Sequence, residues 1–564
     1  MDSTFKPHRP SVNIADPSAP AKAANLQNTY RILLIALIVL AIAVRLFFWI
    51  YTQRTWEDAL ISVQHSENAA AGLGLTHTPS DEPPLHGFTS PLSVLVPLLG
   101  ELLYRGFGLN FIKLVSALLG GVAVYLGFEI CTYLKLPPIL ALTAAAYLAF
   151  EHHQILWGMA GMETEITIVA YLYSFWCFQR RSQLEKGISL GLCLLARPDA
   201  AIWVAIACSF ELWRSWKAGT WKSMAPLVTG LVCVYGPWII FTFAYYGSPI
   251  PNTVYAKSIG YGGFLPVFET ALRQRQFARA AADVFKAVRS GFGPFVTLGL
   301  VYGGNGTWFQ DLWDRHRIIS HCMALLLLPG VLAMFRRRDR NAFLIYAFIA
   351  TYLAYFTFLV PDIFGWYTPP FTAVAVIGSM YGLGYLIRFI PQRATRTAIA
   401  AGFGALYTAA FLIAMPVTMR AEKHVQQYVE VGNREAIGLY LKAISKNGDT
   451  IGCEPLGYIG YYSRLEVYDY PGLCNRKVVE FLRRHPDQRN LPSMLKFFHP
   501  TFLVLRPWES QSPAHVTWDW IDHDYSLIRV FQVPRKESRQ LLFRGSNVDQ
   551  VFYVFELKSA QARA

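Results

Sequence analysis

"RILLIALIVLAIAVRLFFWIYTQRTWEDALISVQHSENAA" (residues 31–70) decides the fold. Its first half is an apolar run of the length that crosses a bilayer, for which roughly 20 residues are needed. The run is too long for the core of a cleaved signal sequence and is expected to stay as a helix. Lys6, Arg9, Lys22 and Arg31 precede it. Basic residues mark the cytoplasmic side, so the helix starts inside. The second half, with adjacent carboxylates at Glu57 and Asp58, then emerges on the outer face, where water hydrates it.

Composition supports a bilayer protein. The chain has 564 residues, 53% hydrophobic and 16% charged; water-soluble domains carry about 25% charged residues. It holds 15 Trp, 30 Tyr and 38 Phe, as expected of a chain with aromatic belts at both membrane interfaces. The formal charge of +14 falls in short basic clusters between apolar runs. That is the pattern of cytoplasmic loops, and it argues against nucleic acid as a partner. Of the eight Cys, six sit in or beside apolar runs, as core packing does. Cys453 and Cys474 lie in the polar C-terminal part; they are either a disulfide, if that part is outside the cytoplasm, or two separate thiols.

Outward from the opening stretch, charge orders the remaining runs. Residues 1–29 are polar, Pro- and Ala-rich and expected to be a disordered cytoplasmic tail. "SPLSVLVPLLGELLY" (90–104) is short and is expected to lie along the outer surface. Residues 110–132 run inward, 138–152 outward and 163–179 inward. Residues 187–212 are basic at both ends, so two short helices turning at Pro198 are expected, with Arg197 and Asp199 satisfied inside protein. Residues 224–245 return outward. An outer segment over 246–317 contains a basic amphipathic helix (268–290) suited to anionic lipid headgroups. Spans at 319–335, 341–360, 369–389 and 396–416 close the membrane part. From about 420 the pattern changes to a small α/β domain, with "DTIGCEPLGYIGYYSRLEVYDYPGLC" and "PTFLVLRP" as short strands among turns, and "REAIGLYLKAIS" and "KVVEFLRRH" as helices. The expected division is tail (1–29), membrane catalytic domain (30–418) and extracytoplasmic α/β domain (419–564). No internal repeat is visible.

This topology gathers Glu57, Asp58, Glu163, Asn252, Lys257 and the stretch Asp362 to Tyr367 on one face. An Asp at the membrane boundary is suited to general base work. It takes the proton of an acceptor hydroxyl while that oxygen attacks a carbon bearing a good leaving group. A polyprenyl phosphate is such a leaving group, and its charge requires a Lys or Arg nearby; Lys257 fits. No glycine-rich nucleotide loop is present, in keeping with a lipid-linked donor rather than a soluble nucleotide sugar.

The combination "EDALISVQHSENAAAGLGL…HGFTSPL", "GMETEI", "LARPDA" and "PNTVYAK" resembles the GT-C superfamily of polyprenyl-phosphate-sugar-dependent glycosyltransferases. It is most similar to the branch that adds terminal arabinofuranose to the mycobacterial wall polymer. The resemblance covers roughly residues 30–475. It implies a polytopic α-helical membrane protein of about 11 transmembrane helices, with juxtamembrane helices and an extracytoplasmic domain. It also implies an inverting single displacement on the periplasmic face of a bacterial inner membrane, from a polyprenyl-phosphate-linked sugar to an envelope glycan or glycolipid. On this pattern Asp58 takes the general-base position. Glu57 stands where the family usually has a second Asp, leaving its role open between metal, acceptor and neither. Glu163 falls on the "GxE" acid and Lys257 on the "PNTxxxK" lysine. His86 stands in a variable segment as an acceptor contact, and Asn252 and Tyr367 join the substrate-binding set. The pattern fixes no cofactor and leaves a divalent cation open. If a divalent cation takes part, Glu57, Asp58 and Glu163 are its oxygen ligands. Two other readings remain open: a transporter or flippase of lipid-linked sugar, and a GT-C enzyme using mannose, aminoarabinose or an oligosaccharide.

Overall fold

A computed structural model describes residues 19–79, 83–260, 272–282, 324–359, 364–510, 519–538, 541 and 549–561. The first helix, α1, runs Ala19–Thr52. It starts before the apolar run because Ala-rich "APAKAANLQ" continues helical well. Gln53 takes a left-handed backbone (φ 55°), and the chain turns into α2 (Glu57–Ala70).

Next come α3 (Pro91–Leu103), α4 (Gly108–Tyr133), α5 (Pro138–Phe150), α6 (His152–Met159) and α7 (Thr164–Arg180). With 13 residues, α3 spans only about 20 Å at ~1.5 Å per residue, too short for a hydrocarbon layer of about 30 Å. Leu99, Leu102, Leu103 and Tyr104 are exposed along it, as on a helix lying in the interface. The turn expected at Pro198 is present. α8 (Gln183–Ala196) stops at "RPD", a 3-10 turn covers Pro198–Ala200, and α9 (Ala201–Lys217) follows. α10 (Ala225–Tyr246) and α11 (Asn252–Gly260) follow. The basic helix expected over 268–290 falls largely outside the described residues, as do Asp362 and the start of the span expected at 319–335.

The bundle closes with α12 (Leu327–Arg337), α13 (Arg340–Phe358), α14 (Thr368–Ile387) and α15 (Arg393–His424). Among the described residues, five helical stretches are long and apolar enough to cross a membrane: Asn28–Thr52, Gly108–Tyr133, Trp221–Tyr246, Gly365–Ile387 and Arg393–Ile444. The other expected crossings fall on shorter or less apolar helices. Inside the bundle, Arg45 of α1 and Glu165 of α7 are fully buried and paired at 3.2 Å. Arg45 also donates to the carbonyls of Leu148 and Ala149, so α1, α5 and α7 share one ion pair.

α15 does not end with its apolar stretch. It passes through a π-helical stretch (Val425–Glu435) into α16 (Ala436–Ile444), giving a continuous helix of 52 residues. Beyond it lies a five-stranded sheet in the order β2-β1-β3-β5-β4, with β1 at Thr450–Cys453, β2 at Glu466–Asp469, β3 at Phe502–Leu505, β4 at Tyr525–Gln532 and β5 at Val551–Leu557. β1 pairs parallel with β2 and with β3 (Ile451 opposite Phe502), while β5 pairs antiparallel with β3 and β4. One expectation is corrected. "LGYIGYYS" reads as strand and turn, but Leu456–Ser463 forms a helix, α17. Its Tyr and Ile content favours strand in isolation; packing onto α2 overrides that preference.

Two hydrophobic cores meet at α2. Ala59 belongs to the membrane bundle core, whereas Ile61 packs with Ile437, Ile451, Leu456 and Phe502 of the soluble domain. The helix bearing the first carboxylates is therefore held from both sides.

Candidate active site

The linker Gln53–Trp56 between α1 and α2 is clamped before it reaches Asp58. Lys113 of α4 donates to Arg54 O (2.8 Å) and to Thr55 Oγ1 (2.7 Å). Trp56 N bonds Ala160 O at 2.9 Å. The Arg54 side chain reaches Glu422 (2.8 Å) and Glu430 (2.9 Å) at the top of the long helix. Tyr458 OH donates to Thr55 O. Trp56, Trp157 and Trp366 pack edge to face, with centroids 4.7–5.9 Å apart, under the start of α2.

Asp58 and Glu57 occupy the first turn of α2, where the N-terminal end of the helix dipole favours negative charge. Asp58 faces a cleft lined also by Ser62, Phe88, Thr89, Glu163, Arg197, Thr253, Lys257, Trp366, Tyr367 and Leu473. The cleft encloses a cavity of ≈ 70 Å³. Thr89 and Thr253 hydroxyls meet at 2.9 Å, knitting "HGFTSPL" to "PNTVYAK". The sequence-predicted Asp58, Glu163, Lys257 and Tyr367 thus share one cleft, although they come from four distant segments.

Their commitments differ. Arg197 is bound to Asp199 (2.8 Å), bonds Trp366 O and lies over the Tyr367 ring (4.4 Å). Among the described residues, Asp58 and Lys257 carry no salt bridge and no side-chain hydrogen bond; Lys257 lies 5.5 Å from the Phe364 ring. Burial raises the Asp58 pKa above its ordinary value, and Glu454 adds to this, while Lys257 and Arg434 oppose it. Glu57 turns away from the cleft lining. Its Oε2 lies 2.9 Å from Arg434 Nη1, at an angle that misses hydrogen-bond alignment, and burial pushes its pKa up to about 8.

Two expected substrate contacts lie outside the cleft lining. Asn252 donates both amide hydrogens to the carbonyls of Gly472 (2.7 Å) and Leu473 (3.0 Å), so it latches α11 to the soluble domain. His86 is buried behind Phe88, stacked on Tyr246 at 4.7 Å; burial holds its pKa down near 3, and it is absent from the cleft lining. The suggested cation ligands do not fit as a set either. Glu57, Asp58 and Glu163 do not bring three ligand atoms within mutual reach; among the described residues only Glu151, His152 and His153 do so, with one carboxylate oxygen and two ring nitrogens. Cys453 and Cys474 are separate thiols, with Cys474 donating to Gly87 O.

Sequence reading missed Arg197 as a cleft residue and missed Arg434 entirely. The signal for the first was present, since an ionisable side chain within membrane segments is functional by default. For the second there was none.

Beside this cleft runs an apolar groove of ≈ 660 Å³, lined by Leu75, Leu95, Leu98, Leu195, Val234, Trp238 and Phe241 among others. Phe88 joins the two, since it lines the cleft and packs 6.0 Å from Trp238.

The architecture is that of the GT-C membrane fold: a helical bundle with juxtamembrane helices after the first span and a soluble domain carrying a small sheet. The chain is similar to the oligosaccharyltransferase of Archaeoglobus fulgidus in its apo form, at TM-score 0.51 and 13% identity, covering 85% of this chain and 69% of that one. It is also similar to apo ArnT from Cupriavidus metallidurans, at TM-score 0.50 and 11% identity, covering 92% and 97%. Residues 418–553 match a family described as a domain of unknown function, DUF8728. No curated protein matches the sequence.

Proposed function

We propose that the chain is a membrane glycosyltransferase. It moves a sugar, in our reading a pentose such as arabinofuranose, from a polyprenyl-phosphate donor to a hydroxyl of an envelope glycan or glycolipid. The reaction runs on the periplasmic face of a bacterial inner membrane. One observation carries this reading: a carboxylate, Asp58, and an ammonium, Lys257, face the same cleft and have no ion-pair or hydrogen-bond partner among the described residues. A resting charge network would have joined them.

Asp58 accepts the proton of the acceptor hydroxyl as its oxygen bonds the anomeric carbon. The bond from that carbon to the phosphate oxygen breaks, and the electron pair leaves with the phosphate. Lys257, with Arg197 behind it, stabilises the departing anion. A single displacement inverts the anomeric centre and needs no covalent sugar–enzyme intermediate. The adjoining apolar groove suits the isoprenoid tail, whose burial contributes about 25 cal/mol per Å². The arabinose assignment rests on the "PNTVYAK" resemblance.

The test offers purified full-length chain radiolabelled polyprenyl-phosphate arabinose and mannose, and reads transfer to alkyl glycosides and the anomeric configuration of the product. Transfer with inversion supports the reading. Stable donor binding without turnover would replace it with a lipid-sugar carrier. Sidedness has its own test. A cysteine replacing the exposed Ala71, one residue past α2, is expected to react with an impermeant thiol reagent in intact cells; labelling only after lysis would reverse the orientation.

A further inference from the structure

We infer that the soluble domain contributes a binding residue to the transfer site: Glu454, whose carboxylate receives the hydroxyls of a polyhydroxylated acceptor. This rests on the transferase reading above.

The sheet itself points there. From β1 the chain goes to β2 on one side, then returns to β3 on the other. In open α/β sheets, ligands bind at this reversal, in the crevice outside the carboxyl ends of the strands. Glu454 directly follows β1 and Arg506 directly follows β3. They pair across the crevice at 2.8 Å. Arg506 is almost fully buried and is also held by Glu509 (2.9 Å) and by Asp549. It therefore fixes one Glu454 oxygen, Oε2. The other oxygen has no hydrogen bond among the described residues, and the side chain is 32% exposed.

The crevice opens onto α2 rather than away from the membrane. Three residues past Glu454, Gly457 packs so tightly on α2 that an added Cβ would lie 2.3 Å from Glu57 O. Leu473, just past β2, lines the Asp58 cleft itself. Glu454 is also close enough to raise the pKa values of both Glu57 and Asp58. A carboxylate with one oxygen pinned and one open suits a neutral, hydroxyl-rich ligand. The neighbouring Asp58, when ionised, repels an anionic one, which leaves the phosphate to Lys257 and Arg197.

The test uses the full chain in nanodiscs, undecaprenyl-phosphate sugars as donors and a panel of octyl glycosides as acceptors. Glu454→Gln keeps an oxygen for Arg506 but removes the charge. Its KM for the glycoside is expected to rise about tenfold or more, the scale of a lost charged hydrogen bond, with donor KM and melting temperature unchanged. The acid limb of kcat/KM should also move to lower pH, because a negative neighbour of Asp58 is gone. Unchanged glycoside KM with an unmoved limb overturns the inference. Hydrolysis of donor with no glycoside accepted also overturns it. If wild-type chain turns over no donor, the transferase reading itself fails. Octyl glycoside binding by calorimetry, weakened in Glu454→Gln or not, then still decides the role of Glu454.

Discussion

In the proposed mechanism Asp58 acts as a base only when ionised, so transfer should hold above its pKa and fall as pH drops through it. Burial raises that pKa, placing the acid limb above the ordinary Asp value of about 3.9. Asp58→Asn is expected to lower kcat at least about 100-fold, the lower scale of general-base contributions, with the folded fraction unchanged by size-exclusion and thermal melting. Lys257→Met removes a charge that lowers the Asp58 pKa, so its acid limb should move to higher pH. Its donor KM should also rise more than its acceptor KM; equal effects on both would contradict the phosphate role. That these two residues would share one cleft was legible because charge placed beside an apolar run must be hydrated, paired or used. Asn252 was legible as a residue but not in its task, since its carbonyl partners lie 220 positions away. His86 gave the same difficulty: nothing local says that a histidine will stack on Tyr246 and turn its back to the cleft.

Single contacts between elements hold α2 at its angle. Gly457 allows α17 to approach the Glu57 backbone, so Gly457→Ala should push the two helices apart. The expected result is reduced kcat together with a lower melting temperature, both recovering little in any second-site change confined to the cleft. The Arg45–Glu165 pair ties α1 to α7 inside the bundle. Glu165→Leu strands a buried guanidinium, and removing one partner of a buried pair costs about 3–5 kcal/mol. A melting temperature below that of the double variant Arg45→Leu/Glu165→Leu would confirm that the unpaired charge is the cause. Most helices could be read from apolar run length and from the alternation of basic clusters, including the break at Pro198. α17 could not, because a sequence of Gly, Tyr and Ile says strand until the surface it must fit is known.

At the scale of the whole molecule, the membrane bundle and the soluble domain were both legible, the first in its hydropathy and the second in its change of composition near residue 420. Their relation was not. It depends on Arg54, Glu430, Arg434 and Asp549 meeting around one π-helical stretch, and no periodicity announces such a meeting. The stretch is part of the unbroken helix from Arg393 to Ile444, which behaves as a drive shaft. One extra residue in it turns everything above by about 100°. An alanine inserted between Val417 and Thr418 should therefore carry Arg434 off Glu57 and abolish activity while the protein still inserts and folds. Seven extra residues bring the azimuth back nearly to its start but raise the domain by about 10 Å, with the same loss. Length along this shaft is thus fixed by phase and height together. Natural kin of this chain should gain and lose residues in their loops, yet keep the count between Arg393 and Ile444 constant.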